Sequence, residues 1–139
     1  MFAPVPLNVA WDVLTDFDNM HRWVPNLKES KATATEANTV TVEQQGVAKF
    51  GIFSFPYTSV RQMQLNPQKT VKSTQVKGSM KELQSLMTLT PGSDGTQLNY
   101  HLEMVPQGPA ALVLSKDFLD HELREQFTAI IGEMVRRHK

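Results

Sequence analysis

The stretch 95-GTQLNYHLEMVP-106 alternates without a break: Leu98, Tyr100, Leu102 and Met104 fall on one parity, Gln97, Asn99, His101 and Glu103 on the other. Successive side chains of a strand point to opposite faces, so this is a strand with one buried and one wet side. Antiparallel sheets covered on one face read in this way. The rest of the chain must supply the partner strands and the cover.

Turn signals divide what comes before. 91-PGSDG-95 is the strongest, and 36-EAN-38, 66-NPQ-68 and 77-KGS-79 mark earlier breaks. Strands are expected over 27–35, 39–48, 52–65, 70–76 and 80–89, giving about six antiparallel strands in meander order. Within 52–65, Phe53, Phe55, Tyr57, Met63 and Leu65 alternate with smaller or polar residues. Gly51 breaks or bulges the chain before them, and Pro56 indicates a bulge or a sheet edge.

The cover lies downstream. After 106-PQGP-109 the remainder reads as one long helix, with Leu112, Leu119, Leu123, Phe127, Ile130, Ile131 and Met134 at helical spacing. Arg136, Arg137, His138 and Lys139 fall at its end, where the helix dipole favours cations. Near the start, 11-WDVLTDFDNMHRWVPNL-27 reads as two short helices joined by a tight break. Asn8 caps or begins the first, Asp18 caps the second, and Val24-Pro25 stops it. Trp11 and Trp23 fill the end of the sheet that the long helix cannot reach, and Trp23 is a possible gate.

One helical stripe must meet one sheet face. The expectation is a single α+β domain over 1–139, a curved sheet wrapped around the C-terminal helix, with room left between them. Phe53, Phe55, Tyr57, Leu83, Met87, Leu98, Tyr100 and Leu102 would line that pocket from the sheet, and Leu119, Leu123 and Phe127 from the helix. Each tyrosine offers a hydroxyl that orients a ligand oxygen or bonds backbone or water. Arg61 shares the parity of Tyr57, so it is either an anion anchor at the cavity mouth or an exposed charge beyond it.

The 139 residues carry no net charge and no cysteine, with 40% hydrophobic and 20% charged residues. Disulfides, thiolate nucleophiles and cysteine metal sites are excluded, and a reducing, cytoplasmic setting fits. The start has neither a basic n-region nor a long apolar run, so no signal peptide is expected. Charge is unevenly placed: Lys49, Arg61, Lys69, Lys72 and Lys77 lie in 44–80, which holds no acid. This is a solvated strand face, or a surface with weak attraction for anionic membranes. It is too sparse in basic and stacking residues for nucleic acid. His21, His101, His121 and His138 lack metal-ligand spacing, and 121-HELRE-125 lacks the second histidine of a zinc-protease helix. Neither a metal nor a cofactor is expected.

The segment 9–17 (VAWDVLTDF) followed by Trp23-Val24-Pro25 resembles the opening of the START-like, helix-grip superfamily, and more narrowly its polyketide-cyclase/coenzyme-Q-binding-protein branch. 44-QQGVAKF-50, 78-GSMKELQSLMTLTP-91 and 95-GTQLNYHLEMVP-106 match in order, so the likeness runs over almost the whole chain. It implies a helix-grip fold with a hydrophobic pocket. There are two departures. Only Met1 to Val5 precede the first helix, so the first strand is short or missing, through a late start or an edge open to a partner chain such as a second copy. Met87 stands where the family often has tryptophan, which makes the pocket more adaptable.

The leading expectation is a non-enzymatic carrier or chaperone for an apolar small molecule such as a quinone, isoprenoid or lipid. Burying ~400 Å² of apolar ligand at ~25 cal/mol per Å² gives on the order of 10 kcal/mol before ordering costs. The alternatives are a cyclase or dehydratase acting on a polyketide-like substrate, and a protein-interaction module of toxin–antitoxin or ribosome-associated type.

Overall fold

In the computed structural model the alternating stretch is β7 (Thr96–Pro106), preceded by β2 (Leu27–Glu36), β3 (Thr39–Phe50), β4 (Phe53–Asn66), β5 (Thr70–Gly78) and β6 (Met80–Pro91). The structure describes residues 1–50, 53–78, 80–106 and 116–138, and of 48–50, 53, 55, 106 and 116–119 the backbone alone. The expected break at Gly51 and the helical positions of Leu112 and Lys139 lie outside the described residues. A two-residue β1 (Phe2–Ala3) pairs with Gln97 and Thr96. The strands form one antiparallel sheet in the order β1-β7-β6-β5-β4-β3-β2. Among the described residues, two helices, α1 (Leu7–Leu14) and α2 (Lys116–His138), and a 3₁₀ turn (Phe17–Arg22) accompany the sheet.

The short N-terminal elements are not capped as their sequence suggests. Asn8 lies inside α1, because Pro6 is the N-cap residue and its carbonyl accepts the Ala10 N–H at 3.1 Å. Asp18 caps nothing: its Oδ1 accepts the Ala32 N–H at 2.7 Å, fastening the 3₁₀ turn to β2. Asp16 holds the N-cap position of that turn and accepts from the Asn19 side chain at 2.9 Å.

β4 carries two irregularities. It pairs with β3 from Phe53 to Gln64, but with β5 only from Ser59 onward. Pro56 falls where β4 has no β5 neighbour, and its register with β3 is unbroken, so of the two expectations the edge is correct. The bulge lies further on. Val60 faces Lys77 and Arg61 faces Gln75, which leaves Val76 as the extra residue, 68% exposed.

The core gathers Val42, Met63, Val71, Met87, Leu89 and Leu98 from the sheet with Phe127, Ile130 and Met134 from α2 and Ala10, Val13 and Leu14 from α1. The inner stripe of α2 changes character along its length. From Phe127 onward it is apolar and buried, whereas the preceding turn presents Glu122, Leu123 and Gln126. Where that turn faces the sheet, the interior does not close.

A polar belt across the cavity

Two adjoining cavities occupy the space between the sheet and α2. The inner one, about 130 Å³, is walled by Leu14, Phe17, Met20, Met63, Met87 and Phe127 among others. The outer one, about 200 Å³, is walled by Val47, Leu83, Leu102, Met104, Leu123 and Glu122 among others. They share five residues, all polar or amphipathic: Gln44, Tyr57, Arg61, Tyr100 and Gln126. The space therefore has a mainly apolar inner lobe, an outer lobe of mixed lining and a polar waist.

Strand parity builds the waist. Gln44 follows Val42 on the inner face of β3, and Ser59 and Arg61 lie between Tyr57 and Met63 on β4. Ser73 and Gln75 follow Val71 on β5, and Ser85 sits between Leu83 and Met87 on β6. These polar residues interrupt otherwise apolar inner rows. Gly46 makes room for Tyr57, its partner across β3 and β4. A Cβ there would stand 2.7 Å from the Tyr57 hydroxyl and 2.5 Å from the Asn26 carbonyl oxygen, so only glycine fits.

Arg61 is the centre of the belt. Its Nη2 donates to Gln44 Oε1 at 2.6 Å, and Gln44 Nε2 donates to Ser30 Oγ at 3.2 Å. Gln44 and Ser30 are both buried, so the amide that meets Arg61 is itself fixed. Among the described residues no carboxylate pairs with Arg61, and its Nε–H has no acceptor. Burial pushes its pKa below the ordinary arginine value, opposed by Tyr100 and Tyr57. Guanidinium is so basic that it keeps its charge. Burial pushes the Tyr57 hydroxyl upward, Arg61 opposes this and Glu122 adds to it, so the phenol stays neutral and able to donate.

Native interiors rarely leave polar atoms unpaired. Five buried side-chain atoms lack a partner among the described residues: Trp23 Nε1, Ser59 Oγ, Arg61 Nε, Ser73 Oγ and Gln75 Oε1. Four of the five belong to residues that line the cavities. Unmet hydrogen-bonding capacity is thus concentrated in the side chains around the cavities, in atoms buried behind the lining.

The structure brings most of the expected pocket residues together. Tyr57, Arg61 and Tyr100 line both lobes, Met87 and Phe127 the inner one, and Leu83, Leu102 and Leu123 the outer one. Tyr100 and Phe127 meet edge to face, with centroids 4.9 Å apart. Leu98 lines neither lobe: it is fully buried beneath the N-terminal strand, and its N–H donates to the Met1 carbonyl at 2.7 Å. The side chains of Phe53, Phe55 and Leu119 lie outside the described residues. Trp23 lines neither lobe, though Met20 and Val24 beside it line the inner one. The Arg137 guanidinium lies 4.9 Å from the centre of its ring. Arg61 is no part of a solvated strand face, since it points into the cavity.

Sequence reasoning missed apolar walls such as Leu14, Phe17, Met20, Met63 and Met104, and the polar residues Gln44, Ser59, Ser73, Gln75, Ser85, Glu122 and Gln126. Burial pushes the Glu122 carboxyl above its usual range, with Glu125 adding and His121 opposing. His101 and Glu103, 3.1 Å apart, are exposed on the outer face. His121 and Glu125, 3.2 Å apart, are exposed on α2. Among the described residues no cluster of three or more histidine, aspartate or glutamate side chains could hold a metal.

A curved antiparallel sheet gripping one long helix over an internal cavity defines the START-like, helix-grip class. Within it, the chain belongs to the family described as polyketide cyclase / dehydrase and lipid transport, whose profile matches residues 3–131. No curated protein matches the sequence. Among solved structures, a protein of Thermus thermophilus superposes with TM-score 0.85 at 10% identity, covering 100% of this chain and 96% of that one. The ZhuI aromatase/cyclase of a Streptomyces species gives 0.82 at 15%, covering 100% and 92%. A STAR-related lipid transfer protein fragment from Xanthomonas axonopodis gives 0.78 at 14%, covering 96% and 82%. At these identities the likeness is one of fold.

Proposed function

We propose that the protein binds a hydrophobic small molecule in the two-lobed cavity and carries or chaperones it in the cytoplasm. The observation that carries this reading is the arrangement of the cavity: a mainly apolar inner lobe and a mixed outer lobe, joined by a polar waist centred on Arg61. Ligand sites generally combine an apolar lining with a few placed polar groups. The family's description includes lipid transport, which fits. A quinone, an isoprenoid or a lipid with one polar end suits the shape, and Arg61 anchors its oxygen. No helix among the described residues is long and apolar enough to cross a membrane. Exposed Lys69, Lys72 and Lys77 would give the protein a weak attraction to the anionic surface where such a guest is delivered.

Native mass spectrometry of freshly purified protein, followed by solvent extraction, tests the proposal. A co-purifying apolar molecule of one class supports it. An empty cavity together with a tightly held protein partner would favour the interaction-module reading instead.

One observation favours a second reading, a cyclase or dehydratase. Glu122, with its raised pKa, lines the same lobe as Tyr57, Arg61 and Tyr100. A carboxyl tuned upward is suited to proton transfer, and the arginine to steadying an enolate oxygen. Turnover of an aromatic polyketide by the native protein, lost in both Glu122→Gln and Tyr100→Phe, would establish this reading.

A further inference from the structure

We infer that the guest is an organic anion: an apolar chain ending in a carboxylate that meets Arg61 at the waist while the chain fills the inner lobe. The inference rests on the carrier reading and specifies the chemistry of its ligand.

The argument is one of charge balance. Arg61 is a partly buried cation on the cavity wall, and its side-chain hydrogen-bond partner Gln44 is neutral. Gln44 satisfies one nitrogen, and Gln44 cannot turn away because Ser30 holds it. Nε–H is left without an acceptor. Glu122 belongs to the outer lobe and makes no ion pair with Arg61. A partly buried cation without a counter-charge is costly, and a neutral carbonyl would accept a hydrogen bond while leaving the charge uncompensated. A carboxylate does both, because it is acceptor-only and can take several donors at once.

The surroundings point the same way. The Tyr57 hydroxyl and the unpartnered Ser73 hydroxyl join Arg61 as donors around the inner lobe. Among the unpaired atoms, the acceptor-only Gln75 Oε1 belongs to the outer lobe. Beyond the waist the inner lobe offers Leu14, Phe17, Met20, Met63, Met87 and Phe127, a surface for hydrocarbon. A headgroup with acceptors and a tail without polar atoms is what this arrangement would select.

Isothermal titration at pH 8 and below micelle formation, with dodecanoic acid and dodecanol as probes, tests the inference. The native protein is expected to bind the acid at least tenfold more tightly than the alcohol. Arg61→Met should reduce the ratio to near one, and Arg61→Lys should keep much of it. Circular dichroism checks the fold of each variant, and the native ratio needs no variant at all. Equal affinity for the two probes, a preference for the alcohol, or an acid preference that survives in Arg61→Met would overturn the inference and leave the carrier reading standing. If neither probe binds, the inference falls, and the extraction experiment decides the carrier reading.

Discussion

Arg61 and Arg137 both give up water on folding, yet they are treated in opposite ways. Arg137 Nη2 donates to Asp16 Oδ2 at 2.6 Å and its Nε to Glu133 Oε2 at 2.9 Å, while its guanidinium lies over Trp23. Glu133, with only 7% of its side chain exposed, also receives two bonds from Arg136, each 2.6 Å. Positive and negative charges are matched there, and the cluster joins the end of α2 to the break between α1 and the 3₁₀ turn. Arg61 has a single neutral partner and an idle N–H. The first arrangement holds elements together. The second leaves a charge uncompensated, an arrangement that functional sites commonly carry at the cost of stability.

Substitutions can break this contrast. The largest effect is expected at Arg61→Met, where selectivity for an acid over the matching alcohol falls at least tenfold. Folding stability should stay within about 1 kcal/mol of native, because removing an uncompensated charge offsets the lost Gln44 bond. Chemical denaturation beside the titration reads both quantities. Arg137→Met should do the reverse. It leaves Asp16 unpaired but Glu133 still bonded to Arg136, so a loss of about 1–2 kcal/mol is expected, with acid selectivity unchanged.

A third effect depends on pH. The Arg136 hydrogen bond, with Arg137 also contributing against burial, holds the Glu133 carboxyl down at about 2 from 4.5. A group with a depressed folded pKa stabilises above its unfolded value, and that contribution disappears as pH falls from about 4.5 towards 2. Acid denaturation of Glu133→Gln should therefore be flatter than native across that window, and less stable above it. Arg61→Met should keep the native acid profile in this range. The smallest effect is expected at Tyr57→Phe, which removes one neutral donor from the waist and should weaken dodecanoate binding about threefold.

Much of the fold could be read from the sequence because the alternation of 96–104 and the helical stripe from Leu123 to Met134 each follow a single period. The site was only half legible. Tyr57, Met87, Tyr100 and Phe127 were found because apolar parity points inward. Gln44, Ser73 and Gln126 were missed because a polar residue on an inner row looks the same whether it faces a cavity or interrupts a pattern by chance. Parity left Arg61 between an anchor and an exposed charge. Its place was settled by packing: the Gln44–Ser30 relay and a bulge at Val76 opposite it, which no local signal announced. Asp18 was misread for a related reason. A carboxylate ahead of a short helical run suggests a cap, but β2 passes near enough to offer it the Ala32 N–H instead.

A crystal structure of the chain with bound dodecanoate is the most direct measurement. The account predicts a carboxylate oxygen within about 3 Å of an Arg61 guanidinium nitrogen, with the hydrocarbon running between Phe17, Met87 and Phe127. A carboxylate left in solvent, with Arg61 bonded to Gln44 alone and the chain outside the inner lobe, would contradict it.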